Sequence, residues 1–241
     1  MARGSLIVRR ALRAPLFAVA GSVLAFGALT AQAQILAPTP YQGFSASSPF
    51  AAVGFSSFFL ENFEDGAFNT PSATPSSGWV VPGAGVLDSV DEDDGLLNGT
   101  GASGRSYYSA GTQTSLTINF SLINGSLPTH AGIVWTDVGQ IIGAGGLARG
   151  DVIFEAFDSA SVSLGTFGPI LLGDGLISGE TPEDRFFGVI NLGGISSIRI
   201  SMPSSVDWEV DHVQYGVIIP TPGALAMALV AGAIASRRRR N

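Results

Sequence analysis

The sequence predicts an all-β chain: an antiparallel β-sandwich (jelly roll), flanked by an N-terminal signal helix and a C-terminal transmembrane helix. Three observations predict it. Apolar and polar residues alternate with period two through the middle of the chain. Clusters of Gly, Asn, Asp and Pro separate these runs, as at Asn124-Gly125 and Gly173-Asp174-Gly175. Between Phe58 and Gly216 no long stretch carries a helical stripe, whereas both ends of the chain hold continuous apolar runs.

The strands follow in order. Leu116, Ile118, Phe120 and Leu122 point one way, and Thr117, Asn119 and Ser121 the other. Ile133 to Asp137, Asp151 to Phe157, Ser161 to Phe167, Phe186 to Ile190 and Ser197 to Met202 are further β-like runs, and Trp208 to Tyr215 closes the set. About eight to ten short strands suit one sandwich or jelly-roll domain. No internal repeat is visible, which argues against propellers and solenoids. Residues 34–57, rich in Ala, Ser, Pro and Phe, read as a linker or edge-covering segment, which places the domain proper at 58–216. Asn98-Gly99-Thr100 and Asn124-Gly125-Ser126 match the glycosylation sequon, but Asn-Gly is first of all a turn pair.

The N-terminus, 1–33, reads as a secretory signal. Arg3, Arg9, Arg10 and Arg13 precede the apolar run Leu16 to Leu29, and Ala31-Gln32-Ala33 supplies a small-x-small cleavage pattern, with cleavage between Ala33 and Gln34. At the other end, Val217 to Ala235 approaches the ~20 residues that cross a bilayer. Four arginines, Arg237, Arg238, Arg239 and Arg240, follow it and favour the cytoplasmic side. The middle of the chain then faces outward.

Removing the ends changes the charge. The chain has no Lys, and only Arg105, Arg149, Arg185 and Arg199 lie between the two termini. All 19 acidic residues lie between Glu61 and Asp211. So acidic a domain argues against nucleic acid as partner, since phosphate binding needs a basic surface. It suits a divalent cation. With no Cys, the domain has neither disulfides nor thiolate metal sites, and its stability must come from a core, bound metal or both.

Pro220-Thr221-Pro222, the apolar run and the arginine block together resemble the PEP-CTERM sorting signal, here spanning 217–241. The middle residue is Thr221 where that signal carries Glu. The resemblance implies processing by an exosortase-type membrane enzyme and a setting rich in exopolysaccharide.

The acidic residues are the chemistry on offer. Phe63-Glu64-Asp65-Gly66 near the start of the domain and Trp208-Glu209-Val210-Asp211-His212-Val213 at its end resemble the bookends of calcium-binding jelly-roll modules of the galactose-binding-like and carbohydrate-binding type. There a Phe-Glu pair opens the first strand and an aliphatic-Asp-x-aliphatic motif lies in the last. The stretch from Asp184-Arg185-Phe186-Phe187 to Asp211 is similar to a domain of PEP-CTERM proteins. Alternation places Asp207, Glu209 and Asp211 on one face with Val213 and Tyr215, and Trp208, Val210 and His212 on the other. Both faces carry large apolar groups, so the strand is expected to be covered on both sides. First and last strands of a jelly roll lie close together, which would bring Glu64 to Asp211. Two facing carboxylates repel, and a calcium ion with oxygen ligands resolves this. A solvated acidic edge paired to Arg185 or Arg199 is the alternative. The loop from Asp88 to Gly95 is the densest acidic run, and Asp91, Asp93 and Asp94 form a possible weak cation site, although neither register fits the EF-hand spacing.

No nucleophile elbow, zinc-helix motif or phosphate loop is present, and His130 and His212 are the only histidines. Gly143-Ala144-Gly145-Gly146 reads as a loop. The expected function is a non-catalytic exported cell-surface or matrix protein. One alternative is a carbohydrate-binding module using Trp79, Tyr107, Tyr108 or Trp135. Another is a glycosidase using Glu155 with Glu209, or Asp137 with Glu155.

Overall fold

A computed structural model describes residues 32–82, 88–99, 101, 103–109, 113–138, 151–172, 181–203 and 208–218. The signal segment before Gln32, the sorting tail after Ile218, the turn at Gly173-Asp174-Gly175, the Gly143–Gly146 loop and Asp207 lie outside them. Twelve strands form in the described part: β1 Gln34–Pro40, β2 Phe55–Glu61, β3 Ala73–Pro75, β4 Trp79–Pro82, β5 Arg105–Ser109, β6 Ser115–Phe120, β7 His130–Val138, β8 Asp151–Phe157, β9 Ser163–Leu171, β10 Arg185–Ile190, β11 Ser197–Ser201 and β12 Trp208–Ile218. The helical elements are one turn, α1 (Phe44–Ser47), and 3-10 turns at Asp91–Asp94 and Thr181–Glu183. Among the described residues no helix is long and apolar enough to cross a membrane.

The strands make two antiparallel sheets. The larger runs β1-β10-β7-β12-β5-β4, and the smaller runs β3-β6-β11-β8-β9. β12 pairs with β7 along one edge, and its other edge is divided between β5, at Trp208 to Val210, and β2, at Val213 to Ile218. Proline within strands follows the edges: Pro38 and Pro40 in β1, Pro82 in β4, Pro75 in β3 and Pro169 in β9. A proline cannot donate to a ladder, so these strands can close a sheet but not lie inside one.

One core fills the space between the sheets. β6 contributes Leu116, Ile118 and Phe120, β8 contributes Val152, Phe154 and Ala156, and β11 contributes Ile198 and Ile200. The larger sheet answers with Ile133, Trp135, Phe187, Val189, Val210, Val213 and Tyr215. The period-two pattern read in β6 is the pattern of burial as far as Phe120, whereas Leu122 lies beyond the strand and is exposed. At Asn124-Gly125 the backbone takes φ of 49° and 88°, between bridged Ile123 and Ser126, as a hairpin turn requires.

The larger sheet is buried on its other face too. Tyr41, Phe50, Val90, Val134 and Phe186 form a second apolar cluster there. Fully burying such rings contributes ~1.5–3 kcal/mol each. Phe186 lies over Gly132 of the neighbouring strand, where a Cβ would come 2.3 Å from Cζ of that ring. Of the two readings of residues 34–57, the edge-covering segment rather than the linker describes them, and they are part of the domain. They supply an edge strand, the cover containing Tyr41 and Phe50, and the start of β2. The boundary at 217 also moves, because Val217 and Ile218 pair with Ser57 and Phe55 in β12–β2.

Candidate functional site

The site begins with a fault in β12. Asp211 pairs with Val134 and Gln214 with Gly132, so β12 carries one extra residue between them. His212 sits in that bulge at φ 42°, a left-handed conformation that costs a non-glycine residue energy. The bulge resets the alternation. Val210, Val213 and Tyr215 all enter the core, while Asp211, His212 and Gln214 face the outer cover. Simple alternation put Asp211 with Val213 and Tyr215; the extra residue overturns that.

The segment 88–101 packs on this outer face, held by carboxylates. Glu209 accepts the N–H of Asp88 at 2.7 Å and the hydroxyl of Ser106 at 2.9 Å. Asp211 accepts the N–H of Val90 at 3.1 Å and that of His212 at 2.7 Å. Thr136 donates to the carbonyl of Asp88 at 3.2 Å. Within the segment Asp91 accepts the N–H groups of Asn98 and Gly99 at 3.1 and 3.2 Å. These bonds satisfy backbone donors that a buried loop would otherwise leave unpaired.

A directed chain of hydrogen bonds crosses the same face. Ser48 donates to Gln214 Oε1 at 2.5 Å, Gln214 Nε2 to the Tyr41 hydroxyl at 2.9 Å, and Tyr41 to His212 Nδ1 at 2.8 Å. His212 Nε2 lies 3.0 Å from both oxygens of Asp93. A carboxylate accepts only, so the imidazole proton belongs on Nε2 and Nδ1 is the acceptor. Asp93, Asp211 and His212 present ligand atoms within 4.8 Å of one another.

Among the described residues eight acidic side chains are buried: Glu61, Asp88, Asp91, Asp137, Glu183, Asp184, Glu209 and Asp211. Burial, reinforced by Asp137 and Asp88, pushes Glu209 up to about 8 despite its two hydrogen bonds. Burial and then the charge of Asp93 raise Asp211 well above the carboxylate range. Burial likewise raises Asp184, with Asp88 and Asp91 adding to it. Tyr41 moves upward for the same first reason, which keeps its hydroxyl a donor.

The structure distributes the residues picked from sequence unevenly. Phe63 follows β2 rather than opening it, and enters the core at φ 59° beside Phe68 and Tyr107. Glu64 accepts the N–H of Arg105 at 2.5 Å and is raised by partial burial, with Asp93 adding to it. Asp93 and His212 are the residues grouped with Asp211; Glu64 is outside that group. Both oxygens of Asp211 already hold backbone donors, so the arrangement does not favour a calcium ion between Glu64 and Asp211. The group beside Asp211 includes an imidazole, and calcium prefers oxygen alone. Asp91, Asp93 and Asp94 act separately: Asp91 bonds the loop, Asp93 meets His212, and Asp94 accepts the N–H of Leu96 at 2.8 Å.

Glu155 lies in β8 between core residues Phe154 and Ala156, so it projects from the outside of the smaller sheet, where it pairs with Arg199. Glu209 and Asp137 belong to the larger sheet, and Glu209 faces out beneath the 88–101 segment. The two glycosidase pairs named from sequence therefore have their members on different sheets, with the core between those sheets. Tyr107 and Trp135 are core residues, whereas Trp79 is 52% exposed and meets Tyr108 edge-on at 5.6 Å. Sequence reasoning missed Tyr41, Gln214, Asp88 and Asp184 as members of one face. Asp184 carried a readable signal: it lies two residues before Phe186, on the same side of the strand.

A cavity of about 440 Å³ opens beside this face, lined by residues including Tyr41, Gly99, Pro182 and Arg185. No family model matches this chain, and no curated protein matches it.

Proposed function

We propose that this is a non-catalytic exported module of the cell surface or extracellular matrix, tethered and sorted through its C-terminal tail. The observation that carries the reading is the use made of the acids. Glu61, Asp91, Glu209 and Asp211 accept backbone N–H groups of loops that they fasten, instead of lining a cleft. Their role is to hold the fold. The signal-like and PEP-CTERM-like ends support export, tethering in the membrane, and handling by an exosortase-type enzyme.

The strand order supports the jelly-roll assignment. β2-β12-β7-β10 in one sheet and β6-β11-β8-β9 in the other interleave the first and second halves of the chain, as two interlocked Greek keys do. The tail begins after Ile218, so 219–235 remain for a spanning helix, at the short end of the ~17–25 residues needed. Deleting 219–241 tests the function while sparing β12. The full chain should fractionate with membranes and the truncated chain should be released. Membrane retention without the tail would contradict the proposed tether.

A second reading, binding of exopolysaccharide, is favoured by Trp79 alone. Its exposed ring on an edge strand offers a face for a sugar. Trp79→Ala should abolish co-sedimentation with the polysaccharide; unchanged co-sedimentation removes this reading.

A further inference from the structure

Asp93, Asp211 and His212 meet because of the fault in β12. On a regular strand, consecutive residues point to opposite faces. The bulge at His212 turns residues 211 and 212 to the same side, and the 3-10 turn Asp91–Asp94 brings Asp93 onto them. A carboxylate oxygen of each aspartate and a ring nitrogen of His212 all lie within 4.8 Å of one another. His212 Nε2 is already 3.0 Å from both oxygens of Asp93. Donors held by a zinc ion at ~2.0–2.2 Å stand ~3–3.5 Å apart, so shifts of about an ångström would close all three on a metal.

The cluster is withdrawn from water. Asp211 is 0% exposed and His212 1%, and the side chain of Asp93 is 5% exposed. Two carboxylates this close repel, and among the described residues no arginine pairs with either. A divalent cation cancels both charges and leaves the cluster neutral. Each ligand is also aimed. Tyr41 meets Nδ1 of His212 at 2.8 Å and is itself held by Gln214, which directs Nε2 at Asp93. Outer partners of this kind orient metal-ligating histidines. The oxygens of Asp211 accept one N–H each, from Val90 and His212. A carboxylate oxygen has a second lone pair, so each can still reach a metal. Calcium, which gathers many oxygens, is poorly served by such a set. Zinc takes fewer ligands and accepts imidazole and carboxylate together.

We propose that Asp93, Asp211 and His212 bind a zinc ion that pins the Asp91–Asp94 turn to β12. His212 ligates through Nε2. Its ring proton then rests on Nδ1 and is donated to the Tyr41 hydroxyl, which donates in turn to Gln214 Oε1 once that amide turns over. Asp93 and Asp211 supply oxygen, and the second oxygen of Asp93 or a water completes the shell. The site differs in ligands and in metal from the calcium site expected between Glu64 and Asp211. It goes beyond the export reading, which tail deletion tests separately.

The test uses the full chain, stripped with chelator and titrated with zinc chloride, with thermal unfolding and equilibrium dialysis as readouts. The wild type should bind one equivalent, and its midpoint should rise by roughly 5–10 °C at a hundredfold excess over the dissociation constant. Asp93→Asn keeps the shape of the side chain but removes its charge, and should lose the bound equivalent and the rise. His212→Asn should do the same, since asparagine tolerates the left-handed backbone of the bulge. Asp94→Asn, in the same acidic turn, should keep the full response. A wild-type midpoint unmoved by about 0.1 mM zinc, a hundredfold excess over a micromolar constant, overturns the proposal by itself, even if a variant does not fold. Full stoichiometry in Asp93→Asn, loss of the response in Asp94→Asn, or displacement of the bound zinc by about 1 mM calcium also overturns it.

Discussion

The backbone N–H of Val90 donates to Oδ2 of Asp211 across 3.1 Å, joining the last strand to a loop 121 positions earlier. The other oxygen of Asp211 takes the N–H of His212 within the bulge. Asp211→Ala strips the acceptor from two buried donors at once. It should cost ~2–4 kcal/mol, read as a lower urea midpoint. A loss near zero would mean that the loop is held by its other bonds.

Tyr41 stands in the middle of the chain from Ser48 to Asp93. Removing its hydroxyl leaves Gln214 Nε2 without an acceptor and His212 Nδ1 without a donor. Tyr41→Phe keeps the ring packed on Phe186 and should still lose ~1–3 kcal/mol. Chemical denaturation checks this, and a neutral result would show that water replaces the hydroxyl.

The buried acids set a pH dependence. Glu209 is held at about 8 by burial, Asp137 and Asp88, far above an unfolded glutamate at ~4.3. Such a group binds its proton more tightly in the folded chain. Its contribution is full below ~4.3 and is lost as pH rises through about 8. Asp184 and Asp211 shift the same way. In chelator, stability should therefore fall between mildly acidic pH and pH 8, and Glu209→Gln should flatten the decline. Stability that rises over this interval would count against the burial argument.

Gly132 marks a close approach. A methyl there would meet the ring of Phe186 at 2.3 Å and the carbonyl of Phe187 at 2.8 Å. The backbone atom cannot swing aside, so Gly132→Ala should cost ~1–3 kcal/mol. Hydrogen exchange should then show earlier opening of β7 and β10. An unchanged midpoint would mean that the outer cluster has slack.

Much of the sandwich was legible where one face meets the core and the other meets water or polar cover. β6 shows this, because strict alternation at Leu116, Ile118 and Phe120 leaves one register. β1 was hidden. Its sequence Gln34–Pro40 carries two prolines and reads as a linker or edge-covering segment, yet an edge strand with a register break between Leu36 and Thr39 accommodates them. The site was partly legible. The acids at Glu209 and Asp211 stood out, and coverage of β12 on both faces followed from its apolar content. What alternation could not reveal was the bulge at His212, which decides which side Asp211 takes. Nor could alternation reveal that the acidic run from Asp88 packs over the outer face of β12, because that depends on a loop folding back onto the sheet.

The position of β12 has a mechanical consequence. Ladders grip it along both edges, with β7 on one side and β5 and β2 on the other. A tether attached beyond Ile218 would tow the molecule by its middle instead of peeling it from a rim. Drag from a surrounding gel would be shared among several neighbours at once, and the weaker outer strands would be spared the load.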